Sequence, residues 1–479
     1  MNFRMVWQVL GRVLCIDAGL LLLPMIVALC YGESPLPFLI SAAVTGLIGL
    51  VLWRVHSRSV TITAREGFLI VGMSWVIMAL FGALPFVLSG QIPNYIDALF
   101  ETVSGLTTTG ASILSDVEVL SYGMQFWRLF THWIGGMGIL VFIMAILPMA
   151  GNRSMHIMRA EVPGPTVGKL VPRIRKTARI LYLLYIAMTA VETVLLLFGG
   201  MNLFDALVHS FATAGTGGFS NRALSIGYYD STYIDVVIGT FMILFGINFS
   251  LYFLVLIGNV REALRNEELH WYLGLIAFAV LTIAFDLGDR YGSIFGALRY
   301  SYFQVASIIT TTGFSTANFA EWPEYSQAML VLLMFIGGCA GSTGGGLKVS
   351  RVIILFKSAT TEVKRMLRPR CVEHIRLDGK PVEADTVHKV LSYFFFYIMI
   401  MLFGVLLISL DGYDFTTNIT ASLGCLSNVG PGLSLVGPIG SYAVFSPVSK
   451  LVLTLEMLLG RLEIYPILLL FVPSMWKRR

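Results

Sequence analysis

Four stretches of this sequence place small hydroxylated residues before a glycine: Leu106-Thr-Thr-Thr-Gly110-Ala-Ser112, Ala214-Gly-Thr-Gly-Gly218-Phe-Ser220, Ile309-Thr-Thr-Thr-Gly313-Phe-Ser315 and Leu426-Ser-Asn-Val-Gly430-Pro-Gly432. They hold no nucleophile–base pair and no metal-binding carboxylate; what they offer is backbone. Glycine takes φ > 0 without steric penalty, so consecutive carbonyls can face one way. A ring of carbonyl oxygens can replace the hydration shell of a monovalent cation. The carbonyls expected to do so belong to Thr108, Thr109 and Gly110; Thr216, Gly217 and Gly218; Thr311, Thr312 and Gly313; and Asn428, Val429 and Gly430.

A single Thr-Thr-Thr-Gly would be an ordinary helix C-cap. The marker glycines, however, are separated by 108, 95 and 117 residues, which defines a repeat. Repeats 1 and 2 also share Asn94-x-x-Asp97-Ala-Leu and Asn202-x-x-Asp205-Ala-Leu, each Asp 13 residues before its glycine, which aligns Gly218 rather than Gly217 with Gly110. The fourth copy is the least similar and is aligned by position and by its glycine.

The elements that position these stretches follow from hydropathy. Each stretch closes a short apolar run, at 94–106, 202–213, 294–309 and 415–426. A bilayer crossing takes about 20 residues, so these runs are expected to be re-entrant half-helices. Longer runs predict ten crossings, at 5–31, 36–56, 67–90, 124–149, 178–200, 232–260, 269–287, 326–356, 387–410 and 445–473. With 56% apolar and 13% charged residues in 479, the composition excludes a soluble globular domain and a disordered chain alike. The first run carries Asp17 and lacks a small-residue cleavage signature, so it reads as a membrane helix rather than a removed signal peptide. Five scattered cysteines and seven dispersed histidines give no disulfide framework and no zinc spacing.

The expected fold is therefore an all-α polytopic membrane protein around one central pore. Two extra N-terminal helices (1–62) precede four pseudo-symmetric helix–pore-loop–helix units at 63–152, 153–263, 264–358 and 359–479, the last with a preceding cytoplasmic segment. Lys and Arg gather in 53–66, 150–180, 258–268, 348–390 and the last three residues, whereas the opposite connections are acidic. The positive-inside rule then puts both termini in the cytoplasm and the half-helices on the outer side of a bacterial inner (plasma) membrane. Glu101 and Asp116, at the outer mouth, read either as residues that concentrate cations or as plain solvated surface.

Below the four stretches two features stand out. The run 326–356 is too long for one straight span and is interrupted by Gly341-Ser342-Thr343-Gly344-Gly345-Gly346. A phosphate loop is excluded, because Lys348 comes one position late and there is no strand-to-helix context. Close helix packing through small residues is the plainer alternative. The break starts 28 residues past Gly313, near mid-membrane, and is expected to act as a gate. Arg461 lies 31 residues past Gly430, at nearly the same depth. An arginine there costs about 2.5–3.5 kcal/mol on insertion scales. It is read either as a structural ion pair with Glu463, Glu456 or Glu192, or as a fixed positive charge that resists cation flow until the gate moves.

With these residues the whole chain resembles the membrane subunits of the Trk/Ktr/HKT potassium transporter superfamily. The resemblance is carried by Thr-Thr-Thr-Gly110, Gly-Thr-Gly-Gly218-Phe-Ser, Thr-Thr-Thr-Gly313-Phe, Asn-Val-Gly430-Pro-Gly, Gly341-Ser-Thr-Gly-Gly-Gly346 and Gly460-Arg461-Leu-Glu-Ile-Tyr-Pro466. It implies K+ as the transported ion at the filter residues, no covalently bound cofactor and a homodimer in the membrane. It further implies a cytosolic TrkA-like nucleotide-binding ring, carrying NAD or ATP/ADP, docked on the basic loops. None of the four stretches is the full Thr-Val-Gly-Tyr-Gly of tetrameric potassium channels, so a shorter filter that also passes other alkali cations is expected. The alternative is a symporter coupling K+ to H+ or Na+, with Glu192, Glu456 and Glu463 as relay candidates. Such transporters usually show inverted repeats, whereas all four half-helices here share one orientation. No Ser/His pair, His-Glu-x-x-His or metal cluster points to an enzyme.

Overall fold

Four short helices form where the short apolar runs place them, at Tyr95–Leu106, Leu203–Gly215, Ile294–Ile309 and Phe415–Leu426. Each is started by a side chain that accepts a backbone N–H of the first turn. Asn94 takes that of Ile96 (2.9 Å), Asn202 that of Asp205 (2.8 Å), Ser293 that of Phe295 (3.3 Å) and Asp414 that of Thr417 (3.0 Å). Such caps contribute about 0.5–2 kcal/mol apiece. The computed structural model describes residues 2–55, 64–138, 174–368 and 374–476. The basic segment expected at 150–180 and the end of the expected span 124–149 fall mostly outside them.

The four short helices are buried on nearly every side; in the first, all residues from Phe100 to Leu106 are buried. Polar side chains are enclosed with them, Glu101 and Ser104 in the first and Asp205 and His209 in the second. Each packs against three neighbouring helices, two from its own unit and one from the unit before. Leu203–Gly215 lies on Tyr122–Gly136, Ile294–Ile309 on Thr232–Phe245, Phe415–Leu426 on Glu324–Ile336, and Tyr95–Leu106 on Pro447–Arg461. The last of these contacts joins the end of the chain to its beginning and closes the circle. Helices Phe3–Leu20 and Leu36–Trp53 pack on each other outside this circle, the former also against Ala64–Gly82.

Six unbroken helical segments among the described residues are long and apolar enough to cross a membrane: Phe3–Cys30, Leu36–Trp53, Arg65–Leu88, Arg179–Phe198, Glu267–Asp286 and Ala384–Asp411. Their outward faces are apolar: Leu47, Leu281 and Phe403 each expose more than 60% of their surface. Water would penalise such a surface and a hydrocarbon layer would not. Three other expected spans are broken helices. Thr232–Phe245 turns by 89° into Phe249–Leu256. Glu324–Ile336 ends in an irregular loop before Val349–Leu367, and Pro447–Arg461 stops before Tyr465–Leu470. Glu463 and Ile464 have φ of 56° and 65° at that second stop, which no helix can absorb. The all-α expectation meets one small exception, an antiparallel hairpin pairing Arg376–Leu377 with Lys380–Pro381.

Candidate functional site

The four stretches take the same backbone path. Thr108, Thr216, Thr311 and Asn428 are left-handed, with φ of 54°, 55°, 58° and 56°, and two residues later Gly110, Gly218, Gly313 and Gly430 have φ of 83°, 75°, 88° and 92°. This matches Gly218, not Gly217, to the other marker glycines. At each helix end the left-handed residue donates its N–H to the carbonyl three residues back, at 3.1, 2.9, 3.0 and 3.2 Å in chain order. The following residue (Thr109, Gly217, Thr312 or Val429) donates to the carbonyl five back, at 2.9, 2.9, 2.8 and 2.9 Å. This is the Schellman arrangement. Its left-handed seat usually holds glycine or asparagine; threonine there is strained by about 1–3 kcal/mol. The stretches are thus helix caps, yet the cap does not explain the glycine two residues on.

The glycines are explained by the neighbouring strand. A Cβ on Gly110 would strike the carbonyl oxygen of Gly217, one on Gly218 that of Thr312, one on Gly313 that of Val429, and one on Gly430 that of Thr109. All four contacts would be shorter than the 3.0 Å that real Cβ atoms respect. The four backbones therefore meet in a closed ring, each marker glycine against the residue before the marker glycine of the next repeat. Asn428 links repeats 4 and 1 a second time, donating its Nδ2 to Thr109 Oγ1 at 3.0 Å. Hydroxyls pair behind the backbone, Thr107 with Thr109 (2.8 Å) and Thr310 with Thr312 (2.7 Å).

Repeat 2 departs from this pattern with Gly217, which lies outside the left-handed region. Its small size is required by His132, whose imidazole occupies the space a Cβ would enter. His132 is fully buried and stacks on Phe219, with ring centroids 4.2 Å apart. Beside it Arg128 lies over Phe219 (3.6 Å), donates to the Ser220 carbonyl (2.9 Å) and pairs with Glu101 (2.5 Å). Glu101 also accepts from Ser112 Oγ (2.9 Å) and Ile113 N (3.0 Å). Both readings of Glu101 at the mouth, cation concentrator and solvated surface, are thus corrected: it is buried and its charge is matched by Arg128. The cavity outside the ring is lined by Gly110, Gly218, Gly313, Arg128 and Arg222, among others.

The glycine-rich break lies directly beneath the ring. Gly345 donates its N–H to Thr311 Oγ1 at 2.6 Å, and a Cβ on Gly344 would come within 2.9 Å of the Thr310 carbonyl. Irregular backbone begins at Gly337, four residues before Gly341, and runs to Lys348. Ser342 bonds back to the Cys339 carbonyl (2.7 Å), and Thr343 Oγ1 donates to the Phe245 carbonyl (3.3 Å). Gly341 and Gly346 are left-handed, at φ 75° each. Arg461 reaches this loop: it donates to the Thr343 carbonyl (2.7 Å) and to the carbonyls of Gly135 and Gly136, the latter at 3.0 Å. Of the carboxylates weighed as its partners, Glu463 bonds Arg351 (2.5 Å) and Glu456 bonds Ser422 (2.7 Å). Lys348, which fails the phosphate-loop spacing, is buried and donates to the Gly344 carbonyl of its own loop.

Sequence reading brought together the ring residues, the loop and Arg461. It missed His132 and Arg128, and weighed Lys348 only as a phosphate-loop lysine. A glycine where two repeats have threonine and one has valine is the one sequence signal that points to His132.

Short helices buried end-on, capped onto one shared backbone ring and surrounded by lipid-facing helices, define a multi-pass membrane transport protein. A family profile described as "TrkH: Cation transport protein" matches residues 37–285 and 275–478, and the chain belongs to that family. It is 38% identical over 485 residues to the Trk system potassium uptake protein TrkH of Salmonella typhimurium strain LT2, covering 100% of both chains. To the Trk system potassium uptake protein TrkG of Escherichia coli strain K12 it is 34% identical, covering 99% of each. The crystal structure of the potassium transporter TrkH from Vibrio parahaemolyticus superposes with a TM-score of 0.88 at 33% identity, over the full length of both chains. These relatives are named as transport proteins, not enzymes.

Proposed function

We propose that this chain takes up K+ across the inner membrane through a filter made by the backbone carbonyls of Thr108–Gly110, Thr216–Gly218, Thr311–Gly313 and Asn428–Gly430. The observation that carries the reading is the closed ring: four strands of equivalent conformation, each glycine against the next strand's carbonyl. Carbonyl oxygens so gathered suit a weakly hydrated monovalent cation. The names of the relatives supply K+ as that cation. Both termini lie in the cytoplasm, the short helices enter from outside, and the four units are those bounded at 63, 153, 264 and 359.

The loop Gly341–Gly346 is the gate, held across the path by Arg461 and Lys348. Its opening is set by a cytosolic nucleotide-binding partner docked on the basic face, and the protein works as a homodimer. Uptake of K+ into liposomes containing the purified protein tests the central point. Gly430→Ala, which drives a Cβ toward the Thr109 carbonyl, should cut that uptake at least about 10-fold while folded protein is recovered. Undiminished uptake would reject the carbonyl ring as the path.

A further inference from the structure

Helix Glu267–Asp286 begins with two carboxylates that face different parts of the molecule. Glu268 is 5% exposed and reaches into the glycine loop. Its Oε1 accepts the N–H of Ala340 (2.7 Å), on the entering limb, and that of Ser350 (3.0 Å), on the leaving limb. One oxygen therefore holds both ends of the loop. Glu267, one residue earlier, turns outward. It pairs with Lys357 of the helix that leaves the loop, and Lys357 also donates to the Arg376 carbonyl (2.8 Å). In the hairpin at 376–381, Asp378 accepts from Glu267 N (2.7 Å) and Asn266 Nδ2 (3.0 Å), and returns its own N–H to Glu267 Oε2 (3.3 Å). The hairpin is thus bolted to the helix start, and the helix start to the loop.

We propose that Glu267 and Glu268 form a mechanical linkage through which the position of the hairpin at 376–381 sets closure of the glycine loop. Glu268 is its positioning residue on the loop, and Glu267 with Asp378 is its outer anchor. A load that moves the hairpin shifts the first turn of helix Glu267–Asp286, withdraws the shared acceptor and frees both limbs together. The linkage deepens the gate reading given above and rests on it.

The test is K+ flux through the purified full-length protein in liposomes, without any regulator. Glu268→Ala removes two charge-assisted hydrogen bonds and should raise flux at least about 10-fold. Glu268→Gln keeps an acceptor oxygen and should stay within about twofold, a rescue that general loosening would not give. Glu267→Ala should raise flux less, and the double variant should not exceed Glu268→Ala alone, because both act in one chain of contacts. Unchanged flux for folded Glu268→Ala, or single effects that multiply, would overturn the linkage. If Glu268→Ala does not fold, Asp378→Ala on the exposed turn carries the test, with about a threefold rise expected and no change overturning the proposal. Arg461→Ala and deletion of Gly344–Gly346 separate the two ideas. If they raise flux and the glutamate variants do not, the linkage alone fails; if none does, the gate reading fails and the linkage with it.

Discussion

At the scale of single residues, the ring depends on conformations that most side chains resist. Three threonines hold the left-handed seat that glycine fills more cheaply, at about 1–3 kcal/mol each. Strain of that kind persists only where the surroundings over-determine it. Here a hydroxyl is put to use: Thr311 Oγ1 accepts from Gly345 and so ties filter to loop. Thr311→Val should keep the ring but release that tie, raising flux through the closed state about threefold or more, whereas Thr311→Ser should not. Gly217 is a different case, since its backbone does not require glycine and its neighbour does. Gly217→Thr should abolish uptake by colliding with His132, and His132→Ala added to it should restore at least part, read as K+ flux per folded protein. Failure of the double variant to recover any flux would remove His132 as the cause. The marker glycines were legible because positive φ has a residue signature. His132 was not, because it comes from another repeat and its fit to Gly217 exists only after the helices meet.

At the scale of elements, half-helix ends are read well from sequence and helix breaks are read unevenly. The four short helices begin and end within two residues of the apolar runs, because caps such as Asn202 and Asp414 mark their starts and bilayer thickness limits long apolar alternatives. The break at Gly246–Asn248 hardly disturbs the hydropathy run, so little in composition announces it. The other two declare themselves, Leu462–Ile464 by Arg461, Glu463 and Pro466 and the third by its glycines. Arg461 spans from the fourth repeat to that loop and to the end of helix Tyr122–Gly136. Its guanidinium holds three carbonyls from two elements, the loop and the helix end, which fits a clasp. Arg461→Ala should therefore raise K+ flux about 10-fold, as loss of charge-assisted hydrogen bonds predicts, with Arg461→Lys intermediate. A fall in flux that tracks a fall in folded protein would mark the residue as structural instead.

At the scale of the whole molecule, the circle is closed twice, once by backbone strands and once by helices, in the same order around the ring. The repeat spacing made four equivalent stretches legible, and the charge asymmetry of the loops is the basis of the orientation proposed for them. The order of contacts, with the last repeat meeting the first, needs the folded chain. A ring of four unlike strands with one aligned glycine each should pass Rb+ and some Na+ besides K+, which permeability ratios would check. A symporter would instead route a coupling ion past a carboxylate. Of the three considered, Glu463 and Glu456 are bonded to Arg351 and Ser422, leaving Glu192, fully buried in helix Ile174–Phe198. Glu192→Gln should leave the dependence of flux on a proton gradient unchanged.

The most direct test of the carbonyl ring as a passive path for K+ is the reversal potential of current through the purified protein in a lipid bilayer. The ring predicts a reversal that follows the K+ gradient and does not move when pH or Na+ is changed at fixed K+ by amounts too small to carry current themselves. A reversal potential displaced by the proton gradient at fixed K+, or K+ uptake without current, would contradict it.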